Sequence, residues 1–458
     1  MRKPAVGLLP LYIKLYDDAW PELRKRVEPF YDTIALELES RGLDVVRVPI
    51  CRIREEFERA VRTITDSAAI AIVTLHLAYS PSLESAKVLA LTDLPVIVLD
   101  TTPTYEYSPA TDPDELNYNH GIHGVQDMCN LLLRNGKPFM LEAGHWRQSD
   151  VLDRVASCCM AAVMAHAMRN ARVGIIGGPF DGMGDFIVPD DVLRSGIGIS
   201  KVAFDPSGRY DIQTKAIESE IALDRSRYIV GTLDRDVHVR ATMAGLAVRQ
   251  WIAEEKLTAF TVNFLSVNRE SGVACMPFLE ASKAMACGIG YAGEGDVLTA
   301  ALVGSLLQAY PETSFCEMFC PDWKNDTILL SHMGEMNIAL TAEQPVLVEK
   351  EFPFTDAGNT VVAYGRFREG PVTLVNLAPG RGDSFSLIMV SGNMLAVTGE
   401  DRMENSIHGW FKPDMPVSDL LREYSLAGGT HHLALIYDAE ECDLLRFASM
   451  MNWKTVRI

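Results

Sequence analysis

Four short segments in the last third of the chain carry residues whose types suit acid–base or metal chemistry. Tyr291-Ala-Gly-Glu294-Gly-Asp296 lies between an expected strand and an expected helix. Its glycines let the backbone bend sharply and expose Glu294 at the strand's end. Ser314-Phe-Cys-Glu317 sets a second carboxylate at the end of an apolar strand, and His332 ends the apolar run Ile328–Ser331. Ala427-Gly-Gly-Thr-His431-His432 falls between a helix and the expected strand Leu433–Tyr437. Two carboxylates with one or two imidazoles suit Mn²⁺, which takes oxygen and nitrogen ligands and keeps positions open for water or substrate. Each segment alone also has a plainer reading. Glu294 or Asp296 favours the N-terminus of the next helix. A lone Glu is solvated or paired with Lys or Arg, and a single His at a strand end is a hydrogen-bonded structural residue. Neighbours in an extended chain point to opposite faces, so at most one of His431 and His432 is expected to face a given site.

Other motifs exclude chemistry. Gly177-Gly-Pro-Phe-Asp-Gly-Met-Gly184 follows an apolar strand but lacks the G-x-G-x-x-G spacing, and Pro179 does not suit a helix-opening turn, so it reads as a loop. That spacing occurs at Gly288–Gly293, where the glycines span the strand instead of following it. There is no P-loop sequence. Cys316 and Cys320 lack a second thiol pair, so they read as idle or buried thiols and not as a zinc site.

The elements that must position the candidate residues follow from periodicity. Apolar β-branched runs at Ala5–Leu9, Val45–Val48, Ala69–Leu75 and Val96–Leu99 alternate with helical patterns such as Trp20–Ser40, Ile53–Ile64 and Ser82–Leu91. This alternation implies a parallel sheet with helices on both faces. A long helix over Asp150–Arg169 leads into a second α/β region, with strands at Val173–Ile176, Ile199–Phe204, Ala259–Asn263 and Ile289–Tyr291. After about residue 312 the pattern changes to closely spaced strands with Gly, Pro and Asp turns, the mark of an antiparallel sheet or barrel. The expectation is two doubly wound α/β domains, 1–170 and 171–315, followed by a mainly antiparallel β-barrel-like domain, 316–458.

The chain has 458 residues, 42 Lys plus Arg and 61 Asp plus Glu, for a formal charge of −19. That balance argues against a nucleic-acid partner, which needs a basic footprint. No run of about 18 apolar residues appears, so no membrane span is expected. The nine scattered cysteines, and the lack of a leader-like N-terminus, fit a reducing, cytoplasmic setting.

The string Tyr291-Ala-Gly-Glu-Gly-Asp-Val-Leu-Thr-Ala-Ala-Leu302 resembles the signature of the L-arabinose isomerases, within the wider arabinose/fucose isomerase superfamily. Asn119-His-Gly-Ile-His123-Gly, Glu142-Ala-Gly-His-Trp146, Cys275-Met-Pro277, Ser314–Glu317, Ser331-His-Met333 and Gly428–His432 follow in family order. The resemblance implies an aldose–ketose isomerase of three domains. It also implies a divalent metal, Mn²⁺ or another such as Co²⁺ or Mg²⁺, held by Glu294, Glu317, His332 and His432. Glu294 and Glu317 would double as the acid/base pair. His431 would contact sugar, Met183 and Met333 would form apolar wall beside it, and His123 would reach the site of a neighbouring subunit in a hexamer or tetramer.

The sequence departs from the family at sugar-contacting positions. Leu8-Leu-Pro-Leu-Tyr12 has no Gln where the family has Gly-Ser-Gln. His120 stands for a Gln, and Gln126-Asp127 stand for Arg-Glu. The metal-type residues are all kept. These differences imply the same machinery with a sugar other than L-arabinose. Two alternatives stay open from sequence: a metal-dependent sugar epimerase or lyase using the same enediolate, and a non-catalytic sugar-binding protein on this scaffold.

Overall fold

A computed structural model of the chain describes residues 3–206, 210 and 212–458. The chain divides into two compact units, Met1–Val163 and Met164–Ile458.

In the first unit, β1 (Ala5–Leu11), β2 (Asp44–Arg47), β3 (Ile72–His76), β4 (Val96–Asp100) and β5 (Phe139–Ala143) form one sheet in the order β2-β1-β3-β4-β5. All its pairings are parallel. The helices Pro21–Ser40, Arg54–Asp66, Ser82–Leu91 and Ile122–Arg134 supply the crossovers. Apolar residues of strand and helix interlock in a core that includes Leu9, Phe57, Ile64, Val98 and Met128.

The second unit opens with β6 (Arg172–Ile176) and β7 (Ser200–Ala203). The two-residue β8 (Ile229–Val230) leaves for another sheet, and β9 (Ala259–Val262) and β10 (Gly290–Gly293) complete a parallel sheet in the order β10-β9-β6-β7. The helix Val297–Leu307, apolar but for Thr299 and Ser305, is buried along its whole length.

The remaining strands are β11 (Thr313–Asp322), β12 (Thr327–Ser331), β13 (Val346–Lys350), β14 (Thr360–Arg366), β15 (Gly370–Pro379), β16 (Phe385–Leu395), β17 (Ile407–Pro413), β18 (His432–Tyr437) and β19 (Lys454–Arg457). They run in the order β19-β16-β15-β18-β11-β12-β17-β14-β13-β8, and an added pairing of β16 with β17 closes six of them into a barrel. Leu330, Phe367, Leu374, Val390, Phe411 and Leu435 belong to its core. The fold class is therefore two parallel α/β sheets and an antiparallel closed barrel with extra strands.

One helix, Val151–Arg169, has the length and mean hydropathy of a membrane span, although charged and polar residues interrupt its apolar run. More than half of it is buried in the fold, as in the core helix of a globular protein.

Candidate metal centre

The barrel register builds half of the site. On β11, Glu317 pairs with His432 of β18 on one side and with Ser331 of β12 on the other. Directly opposed residues share a face, so Glu317 and His432 project together, and His332 leaves the end of β12 beside them. The other half comes from the end of β10. Glu294 sits in the left-handed region at φ +63°, a strained conformation for a residue with a Cβ. It is fixed at both ends, because its N–H donates to Val262 O and its carbonyl accepts from Phe180 N–H, each at 2.9 Å.

The flanking glycines have separate reasons. A Cβ on Gly293 would lie 2.7 Å from His332 Cε1, and Gly295 adopts φ +82° with Gly178 O 2.3 Å from where a Cβ would stand. Asp296 has two tasks. Its Oδ1 accepts from Thr299 N–H at 2.8 Å, capping the helix Val297–Leu307, while its Oδ2 meets His432 Nδ1 at 2.9 Å. The helix-capping reading of Asp296 was therefore correct and incomplete.

Ligand-type atoms of Glu294, Glu317, His431 and His432 lie within 4.8 Å of one another. His432 Nε2 is 3.2 Å from Glu317 Oε1 and 3.6 Å from Glu294 Oε2, and His332 Nε2 is 3.9 Å from Glu317 Oε1. Both Nε2 atoms are buried and have no hydrogen-bond partner. Buried polar atoms without partners are costly, so these two nitrogens fit a group that accepts their lone pairs. Their other nitrogens are braced. His332 Nδ1 meets Glu335 Oε2 at 2.7 Å, and Glu335 in turn accepts from Tyr291 Oη at 2.6 Å and from Gly334 N–H at 2.9 Å. A carboxylate behind the imidazole is the usual support of a metal-ligating histidine.

The electrostatics show a site that favours positive charge. Burial disfavours charge on His432, yet the carboxylates of Asp296 and Glu317 beside it outweigh that and raise its pKa to about 10. Burial likewise works against the Glu317 carboxylate, and the neighbouring histidines hold it below its ordinary value. Among the described residues, no Lys or Arg is ion-paired to Glu294, Asp296, Glu317 or Asp185. Anionic oxygens and imidazole nitrogens gathered without a cationic side chain fit a divalent cation.

His431 differs from the other two. It is 38% exposed, against 2% for His332 and 0% for His432. Its Nε2 is 3.3 Å from Glu294 Oε2 and its Nδ1 is 2.7 Å from Asp185 Oδ2. The alternation rule for adjacent residues fails here, because both rings face the same centre with centroids 4.2 Å apart. His431 precedes the first residue of β18, so the strand geometry does not bind it.

Met183 and Met333 are both half-buried, and the Met333 carbonyl accepts from Lys350 Nζ at 2.6 Å. His120 and His123 belong to the Met1–Val163 unit, at the start of the helix Ile122–Arg134. There His120 Nε2 meets Tyr16 Oη at 2.8 Å, and the two histidine rings lie 5.5 Å apart. Cys316 is buried and Cys320 exposed, and neither joins the cluster. Sequence reasoning missed Glu335 and Asp185. Glu335 had a weak signal in its placement three residues after His332, whereas Asp185 had none.

Residues 210–309 match the L-arabinose isomerase central domain and residues 312–454 the L-arabinose isomerase C-terminal domain. The L-arabinose isomerase of Clostridium beijerinckii is 26% identical over 86% of this chain and 82% of its own length. L-arabinose isomerase 1 of Bacillus licheniformis is 24% identical over 95% and 87% respectively, and the Shouchella clausii enzyme is 25% identical over 76% and 72%. With both domain types present, in order and over more than half of its length, the chain belongs to the L-arabinose isomerase-like family.

Proposed function

We propose that the chain is a metal-dependent intramolecular oxidoreductase that interconverts an aldose and a ketose through a cis-enediol. One observation carries this reading: Glu317 lies beside His332 and His432 and Glu294 beside His432, the Nε2 atoms of both rings are buried and unpartnered, and no Lys or Arg is ion-paired to either carboxylate among the described residues. Glu294, Glu317, His332 and His432 would hold Mn²⁺, or Co²⁺ or Mg²⁺ in its place. His332 is preferred to His431 as a ligand because its Nε2 is buried and free, whereas His431 Nε2 already meets Glu294. A divalent cation held there would supply Lewis-acid chemistry, withdrawing charge from the sugar's carbonyl so that the neighbouring C–H becomes more acidic.

The chain's own residues then move the protons. Isomerisation shifts one proton between C1 and C2 and another between O1 and O2, so it needs two proton-carrying groups. Glu294 and Glu317 are the pair that supplies them. Asp296 and Glu335 keep His432 and His332 in orientation. His431, being half-exposed, contacts the sugar. Met183 and Met333 form apolar wall. His120 and His123 complete a sugar site in a neighbouring subunit of a homo-oligomer. The substitutions at Leu8–Tyr12, His120 and Gln126-Asp127 favour a sugar other than L-arabinose.

The test is a metal-stripped sample refilled with Mn²⁺ and screened against a panel of aldoses by NMR in D₂O. Ketose formation that needs the metal, with solvent deuterium at the isomerised carbon, is the expected result. Inversion at C2 without ketose overturns it in favour of an epimerase. Chelation-sensitive sugar binding without turnover of any aldose overturns it in favour of a binding protein.

A further inference from the structure

Two adjacent histidines facing one centre need a cause, since an extended chain turns neighbours apart. The cause lies in the loop after β6. Asp185 Oδ2 accepts from both the backbone N–H of His431, at 3.0 Å, and its ring Nδ1–H, at 2.7 Å. A single carboxylate oxygen thus holds the residue at its backbone and at its ring. The next residue, Phe186, is buried, stacks on His432 at 5.4 Å and 14°, and lies 5.7 Å from the His431 ring.

The loop that carries this pair is itself tied down. Ser266 Oγ donates to Gly177 O and Asn263 Nδ2 to Pro179 O, each at 3.0 Å, and Phe180 N–H donates to Glu294 O. The strand β9 end, the Glu294 turn and the Asp185–Phe186 brace therefore form one connected support.

We propose that Asp185 is a positioning residue: it swings His431 out of the strand direction and holds the Nε2 edge of its ring toward Glu294, where a sugar oxygen would be met. The consequence for catalysis rests on the isomerase reading, while the brace itself does not. Asp185 touches none of Glu294, Glu317, His332 or His432 through a hydrogen bond among the described residues, so its removal should separate ring placement from metal holding.

Asp185→Ala and Asp185→Asn serve as the pair of variants, because the Asn amide oxygen can still accept both N–H groups. The first readout needs no turnover: the rate of His431 carbethoxylation by diethyl pyrocarbonate, mapped by tandem mass spectrometry with His432 as internal control. Asp185→Ala should raise the His431 rate at least about tenfold, with His432 still protected and Asp185→Asn close to wild type. The second readout is kinetic. Loss of a group that orients a reacting partner costs on the order of 10- to 100-fold. That loss should fall on kcat, with Mn²⁺ affinity by titration within about twofold of wild type, and Asp185→Asn should restore most of it. An unchanged labelling rate in Asp185→Ala overturns the brace. Faster labelling with unchanged kcat overturns the positioning role. Labelling is read on the protein alone, so failure of the isomerase reading and failure of the brace give different results.

Discussion

The second unit holds two clusters rich in carboxylates, and they are built on opposite principles. On the helices Thr214–Arg227, Arg235–Glu254 and Phe278–Ala286, the carboxylates of Glu220, Asp224 and Glu280 are each bonded by Arg249 or Lys283. Arg249 bonds Glu220 at 2.9 Å and Glu280 at 2.7 Å, Lys283 bonds Glu220 at 2.8 Å and also bonds Asp224, and His238 Nε2 lies 3.4 Å from Asp224. Around Glu294 and Glu317 the ion-pair partners among the described residues are histidines alone, and two imidazole nitrogens are left unpartnered. The number of carboxylates does not separate the clusters; the presence of Arg249 and Lys283 in one, and of no ion-paired Lys or Arg in the other among the described residues, does. A network paired with Lys and Arg suits a structural role, whereas a buried cluster without them is the kind of site that fits a cation.

The sharpest test of that contrast is to remove one carboxylate charge from the unbalanced cluster. Glu294→Gln and Glu317→Gln should each lower kcat by roughly 10²–10⁴-fold, the range for loss of a general acid or base. Each should also weaken the Mn²⁺-dependent rise in Tm. For an intact site at 100 times Kd that rise corresponds to about 2.7 kcal/mol. Differential scanning fluorimetry with and without Mn²⁺ checks this, and an undiminished rise in both variants would erase the difference between the clusters.

The same operation on the balanced network should do the reverse. Lys283→Met strands Glu220 and the buried Asp224 without their shared ammonium. Breaking a buried pair on one side costs about 3–5 kcal/mol. Urea unfolding should show that loss, while the folded fraction keeps its kcat. A variant as stable as wild type would mean that the network is not holding the three helices together.

Parts of this contrast were legible in the sequence and parts were not. The Gly-Glu-Gly-Asp string announced itself because every position has a separate constraint: a ring against Gly293, positive φ at Glu294 and Gly295, and a cap that is also a brace at Asp296. Helices such as Ser82–Leu91 and the strands of both parallel sheets except β5 were readable from period alone. The short strands β5, β8, β13, β17 and β19 were not, because Phe139–Ala143 is barely buried, Ile407–Pro413 contains Gly and Pro, and Val346–Lys350 ends in charge. Long-range partners were invisible in principle. Asp185 finds His431 across 246 positions, and Lys283 finds Glu220 across 63, with no local pattern to mark either. Gly293→Ala probes the legible part. The added Cβ meets the His332 ring, which Glu335 keeps from yielding, so Mn²⁺ affinity should fall on the order of 10- to 100-fold without loss of fold. Isothermal titration with circular dichroism reads both halves of that outcome.

The smallest expected effect returns to the balanced network and to acid. Burial works against the Glu220 carboxylate, but hydrogen bonds from Arg249 and Lys283 outweigh it and lower its pKa from the ordinary 4.5 to about 2. The unfolded chain therefore takes up this proton first as pH falls. The stability contributed by Glu220 is complete above about pH 4.5 and is lost progressively on the way down to about 2. One proton contributes at most about 1.4 kcal/mol per pH unit to the slope. Glu220→Gln should flatten the fall in unfolding free energy across that window by up to this amount, and it should leave the slope above pH 5 unchanged. Urea titrations at half-unit steps from pH 5 to 2.5 measure it. A variant whose acid slope matches wild type would show that Glu220 is no better held in the folded chain than in the unfolded one. The matched network would then lose its standing as the stabilising counterpart of the site.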